Sequence, residues 1–140
     1  MRLASLLIGV ALLVGCGGTQ PPSAAHAWAR ATASGQDVGV VYVSITGGEQ
    51  ADRLVGASVP ASIAASAELH VTSMDGATMS MQATDGIDVP LNTTVELKPG
   101  GSHIMLMRLA HPLTAGETFP VTLAFEHGGD VTTTATVKGW

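Results

Sequence analysis

From Trp28 onward the chain alternates apolar and polar positions with period two, in short runs bounded by turn residues. The runs at 38–46, 53–59, 67–73, 78–84, 93–97, 103–109, 119–126 and 131–137 each read as a strand. Gly47-Gly48, Asp75-Gly76, Asp85-Gly86, Pro99-Gly100-Gly101 and Gly128-Gly129 punctuate them. No stretch carries a convincing 3.6-residue apolar period, and only 61–67, rich in alanine, suits a short helical turn. About eight strands at this spacing predict an all-β sandwich or barrel. No internal repeat is visible.

The first residues follow a different pattern. Arg2 precedes a largely apolar run of 12 residues, 3–14. A bilayer-spanning helix needs ~20 apolar residues, so this run fits the apolar core of a signal peptide. It ends Leu13-Val14-Gly15-Cys16, which resembles the bacterial lipobox, whose cysteine is lipidated and becomes the first mature residue. The expected organisation is a lipoprotein signal peptide at 1–15, a lipidated Cys16 with a Pro- and Gly-containing tether at 16–25, and one β domain at 26–140. That places the protein outside the cytoplasmic membrane, held to the cell envelope by lipid, on the periplasmic or outer face. Cys16 is the single cysteine, so the folded domain is left without disulfide, CxxC pair or thiolate ligand. The net charge of −5 argues against nucleic acid, whose phosphates need Lys and Arg.

The candidate chemistry lies in two stretches. Glu68 to Met81 places a turn signal, Asp75-Gly76, between two strand-like runs. Asp-Gly favours a two-residue hairpin loop because both positions need positive φ. With that loop, residues whose numbers sum to 151 pair, and His70 faces Met81 directly. A slip by one residue would send one of them to the other face. In Ser102-His103-Ile104-Met105-Leu106-Met107, His103 and Met105 share one face while Ile104 and Leu106 point to the opposite, core side. The 21 residues between Met81 and His103 leave room for one further strand and a return.

Two imidazoles and two thioethers suit a soft ion. Thioether sulfur is neutral and polarisable and favours Cu(I) over Mg²⁺ or Ca²⁺. Zinc sites rarely use it. Methionine is also an ordinary core filler, so from the residues alone a metal site and a structural set both stand open. Met74, Met79, Thr72 and Met107 read as surroundings of the site, and Glu68, on the His70 face by alternation, as a partner for its second ring nitrogen. His26, His111 and His127 lie in loop or boundary segments and read as solvated.

The same residues carry a family resemblance. His70, ten residues, Met81, twenty-one residues, His103, one residue and Met105 is similar to the ligand pattern of the periplasmic copper(I) chaperone family, PCuAC. Ala27-Trp28-Ala29-Arg30-Ala31, Glu68-Leu69-His70, Val95-Glu96-Leu97-Lys98-Pro99-Gly100-Gly101 and His103-Ile104-Met105-Leu106-Met107 extend the likeness over roughly residues 26–137. The resemblance implies a cupredoxin-like β-sandwich. It further implies that His70, Met81, His103 and Met105 hold Cu(I) for delivery toward the CuA centre of cytochrome c oxidase, through an oxidase subunit or a thioredoxin-like copper chaperone. A monomer is the expected state. Some members end in a His- and Met-rich tail; here the chain ends Thr136-Val137-Lys138-Gly139-Trp140, so one principal site is expected.

Other classes fit less well. A blue-copper electron carrier needs a thiolate, and no nucleophile motif, paired-carboxylate signature or phosphate loop marks an enzyme. A copper-buffering lipoprotein without specific delivery, or a metal-free interaction sandwich, would use the same fold.

Overall fold

The computed structural model describes residues 19–139. The expected signal peptide and Cys16 lie outside the described residues. Ten strands follow in chain order: β1 (Ser23–Arg30), β2 (Val38–Thr46), β3 (Asp52–Ser58), β4 (Ala64–Asp75), β5 (Thr78–Ala83), β6 (Ile87–Val89), β7 (Thr94–Leu97), β8 (His103–Leu109), β9 (Thr118–Phe125) and β10 (Gly129–Lys138). Each of the eight expected strands is present, and 61–63 forms one turn closed by the Ile63 and Ala64 amides on the Pro60 carbonyl. Beyond that turn the chain runs straight into β4, so the helical turn expected over 61–67 stops halfway.

Two strands were hidden in the pattern. β6 is only three residues long. β1 begins at Ser23, inside the stretch expected to be tether, and pairs Ser23, Ala24 and Ala25 with Thr46, Ile45 and Ser44 of β2. Alanines give too weak an apolar signal to mark a strand. His26, at φ 56°, breaks the register between Ala25 and Trp28 and swings the second half of β1 into parallel pairing with β10.

The hydrogen-bonded path runs β5-β4-β8-β2-β1-β10-β9-β3-β6, with β7 also on β2. It wraps one core built from both ends of the path: Val41, Val43 and Ile45 of β2, Leu69 of β4, Ile104 and Leu106 of β8, Leu54 of β3, and Val121 and Leu123 of β9. Gly48 is where this wrapping is tightest. A Cβ there would lie 1.9 Å from the Gln20 carbonyl oxygen, so the residue must be glycine for the chain entering β1 to pass.

At the far end of the path the Asp52 carboxylate accepts the backbone N–H groups of Arg53 (2.7 Å), His127 (3.0 Å) and Gly128 (2.8 Å), tying β3 to the β9–β10 turn. Desolvation pushes its pKa up, but the His127, Arg53 and Gly128 amides outweigh that and hold it below the ordinary 3.8.

Two predictions follow from this packing. Ile104→Ala removes a fully buried side chain from beneath the candidate site and should cost about 2–5 kcal/mol in denaturant unfolding. Asp52→Asn should lower the melting temperature at pH 7. Because the folded-state pKa is depressed, this contribution is present above the unfolded value and lost as pH falls through the folded one. The difference between wild type and variant should therefore shrink below about pH 3.8. A gap that widens in acid would contradict the assignment.

Candidate metal centre

β4 and β8 are antiparallel neighbours, and their register places His70 directly opposite His103 and Glu68 opposite Met105. The local cause is alternation. Leu69 and Ile104 face the core, so the residues flanking them must face outward. The rings lie 5.6 Å apart, centroid to centroid, and are stacked at 28°.

The two imidazoles are oriented by different partners. The His103 Nδ1–H donates to the Gly101 carbonyl at 3.1 Å, in the turn that leads into β8. Thr72 Oγ1–H donates to the same carbonyl at 2.9 Å, which fixes that turn against β4. His70 bonds through its other nitrogen: Nε2–H donates to Glu68 Oε2 at 3.1 Å. Neutral His103 thus presents a lone pair on Nε2, and neutral His70 presents one on Nδ1. Among the described residues these are the two buried side-chain nitrogens with no hydrogen-bond partner. A buried polar atom left unpaired costs about 1–3 kcal/mol, so each of the two calls for a partner. His103 is 3% exposed and the His70 side chain 13%.

Met105 is half-buried on β8, between Glu68 of β4 and Val40 of β2. Met81 is 56% exposed on β5. It does not face His70 directly. In the structure pairs sum to 153, so Met81 faces Thr72 and His70 faces Ala83. The loop is Gly76-Ala77, not Asp75-Gly76. Only Gly76 takes positive φ, at 63°, which is the turn with glycine first; the alternative would force Asp75 there as well. The shift in the sum is two, so parity is kept, and Met81 remains on the His70 face as its diagonal neighbour, ~7–8 Å away. A thioether on three rotatable bonds spans that distance. The return from β5 to β8 uses two short strands, β6 and β7, where the sequence suggested one.

The sequence-derived residues His70, His103 and Met105 therefore meet on adjacent strands, and Met81 stands at their edge. The Gly101 carbonyl was not foreseen; its signal was the Pro99-Gly100-Gly101 turn two residues before His103. His26 is exposed in the β1 bulge, His111 bonds the Pro112 carbonyl and Glu117, and His127 lies near Glu126, all away from this site. Among the described residues no group of three or more His, Cys, Asp or Glu is placed to hold a metal ion.

The opposed hydrogen bonds predict opposite tautomers. In nitrogen-15 spectra above pH 8, His103 should carry its proton on Nδ1 and His70 on Nε2, and Glu68→Gln should weaken the preference at His70 alone. The same tautomer on both rings would be incompatible with this geometry.

Residues 23–137 match the family model described as "Putative lipoprotein LpqE-like". The chain is 37% identical to "Putative lipoprotein Lxx21020" of Leifsonia xyli subsp. xyli, over 97% of this chain and 86% of that protein. Among solved structures it resembles the copper-bound PCuAC domain from PmoF2, with TM-score 0.71 and 27% identity, covering 88% of this chain and 97% of that one. It also resembles CuI-DR1885 from Deinococcus radiodurans, with TM-score 0.68 and 31% identity, covering 87% and 81%. The PCuAC resemblance read from the sequence is therefore borne out, and the sandwich is cupredoxin-like. From β1 through nearly all of β10, this chain is a member of the LpqE-like family built on the PCuAC fold.

Proposed function

We propose that this protein is a copper chaperone that binds one Cu(I) ion through His70 Nδ1, His103 Nε2 and the Met81 and Met105 thioethers, and hands it to an acceptor protein. The observation that carries the reading is the pair of buried, unpartnered ring nitrogens on adjacent strands, flanked by two sulfurs. The copper-bound structures of similar domains support it.

The donor set explains both retention and release. Four neutral ligands leave the single positive charge uncompensated, so binding is weaker than at thiolates. Glu68, bonded to His70 Nε2, fixes the tautomer that leaves Nδ1 free and supplies a negative charge one residue removed from the ion. The imidazoles are covered, whereas Met81 is exposed; a ligand from the acceptor can displace Met81 first, with the histidines holding the ion until the exchange is complete.

The setting follows from the N-terminal segment. Residues 1–15 act as a lipoprotein signal peptide and Cys16 as the lipidated residue, which anchors the sandwich outside the cytoplasmic membrane. The lipoprotein descriptions of the family and its relative support this. The recipient implied by the resemblance is the CuA centre of cytochrome c oxidase, reached directly or through a thioredoxin-like chaperone.

The test is an anaerobic Cu(I) titration against a chromophoric chelator. The full chain is used in mild detergent with Cys16→Ser, since a free thiol would compete for the ion. One equivalent should be retained, and Met81→Leu with Met105→Leu should weaken it at least tenfold while leaving the fold intact. A protein that surrenders all its copper to a weak chelator would end the chaperone reading.

A further inference from the structure

The hairpin β4–β5 has two faces, and neither covers the core at its outer end. One face is polar: Ser73 Oγ and Ser80 Oγ are hydrogen-bonded across the strands at 2.9 Å, Asp75 pairs with Thr78, and Val71 with Gln82. The other carries Met74 directly opposite Met79, and Met81 opposite Thr72. These methionines are 63%, 54% and 56% exposed, and they make three of the five large apolar side chains exposed among the described residues. An amphipathic hairpin normally buries its apolar face. This one turns it to solvent, on the side where His70 stands.

The residue type narrows the explanation. A strand that needed only apolar surface would gain more from Val or Ile, which favour the extended backbone. Three thioethers within one hairpin face instead form a cluster of soft, neutral donors. Directly opposed residues have Cβ atoms ~5 Å apart, and a residue two along the strand lies within reach of a long side chain. Met74, Met79 and Met81 can therefore converge on one ion in a trigonal sulfur set. Such a set takes Cu(I) or Ag(I) and rejects hard divalent cations.

We infer that Met74, Met79 and Met81 form a second, outer Cu(I) site that loads the inner site through their shared residue, Met81. The inference rests on the inner site proposed above. The ion arrives at the hairpin tip and is bound by three sulfurs. It then exchanges the Met74 and Met79 thioethers for His70 Nδ1, His103 Nε2 and Met105, with Met81 remaining attached. Copper stays in the +1 state throughout. No electron moves, and no proton is released because the receiving nitrogens hold lone pairs. The outer site lacks imidazole, so it binds more weakly than the inner one, and transfer inward is downhill. Because Met81 belongs to both sets, the two sites cannot be filled at full coordination together, and the protein still holds one ion at equilibrium.

Two measurements test this on the full chain with Cys16→Ser. The first isolates the outer site. In the His70→Gln, His103→Gln variant, silver nitrate is titrated against protein carrying carbon-13 methyl-labelled methionine. The Met74, Met79 and Met81 methyl signals should shift together and saturate at one equivalent, while Met105 and Met107 stay in place. Metal-free methyl spectra report whether this variant folds; if it does not, His70→Gln with Met105→Leu, which keeps the buried His103, takes its place. The second measurement uses Met74→Leu, Met79→Leu with the inner ligands intact. Its equilibrium Cu(I) affinity should remain within about threefold of wild type, and loading from a Cu(I)–chelator complex should slow about tenfold. Methyl signals of Met74 and Met79 that ignore silver, or an unchanged loading rate, would overturn the outer site. Loss of the inner reading looks different: wild type itself would retain no copper.

Discussion

The antiparallel register of β4 on β8 is the constraint on which the rest of the site depends. It sets His70 against His103, and it is held from the other side of the sheet by Leu69 and Ile104, buried in the common core. A slip of β4 by one residue would turn His70 inward and Leu69 out to solvent while His103 and Ile104 kept their faces, which the core would not tolerate. The hydrophobic effect thus determines the geometry of a polar site without touching it.

The hydrogen bonds around the two rings complete what the register begins. A backbone carbonyl orients one imidazole and a carboxylate the other, and the two bonds leave the opposite nitrogen of each ring unpaired. Thr72 ties the Gly101 carbonyl to β4, so the turn that orients His103 is itself anchored to the strand that carries His70. The imidazoles are held by hydrogen bonds and largely covered, whereas the Met81 thioether is exposed, so the proposed donor set combines oriented nitrogens with one accessible sulfur.

The sheet also separates stability from exchange in space. The path that closes around the core ends at β6, where Asp52 and its backbone donors secure the β9–β10 turn. The other end is β5, the edge strand whose outer portion contributes little to the core. Chemistry at that edge can vary with little penalty to the fold, which is why a solvent-facing row of methionines is sustainable there.

What the sequence determined by itself was local. Alternation marked eight of the ten strands, put His103 and Met105 on one face with Ile104 and Leu106 on the other, and kept His70 and Met81 on a common face. Those relations are set by the two-residue period of an extended chain and need no knowledge of distant residues. The spacing of His70, Met81, His103 and Met105, with its flanking residues, pointed to the family as well. The tertiary structure decided the rest. It chose Gly76 over Asp75 as the first loop residue, because positive φ is cheap only at glycine, and so moved Met81 from opposite His70 to its diagonal. It recruited Ser23–Ala25 into the sheet, although alanine announces no strand. It also made β4 and β8 neighbours across 32 intervening positions between His70 and His103, since strand adjacency is settled by how the whole core closes and not by the pattern of either strand.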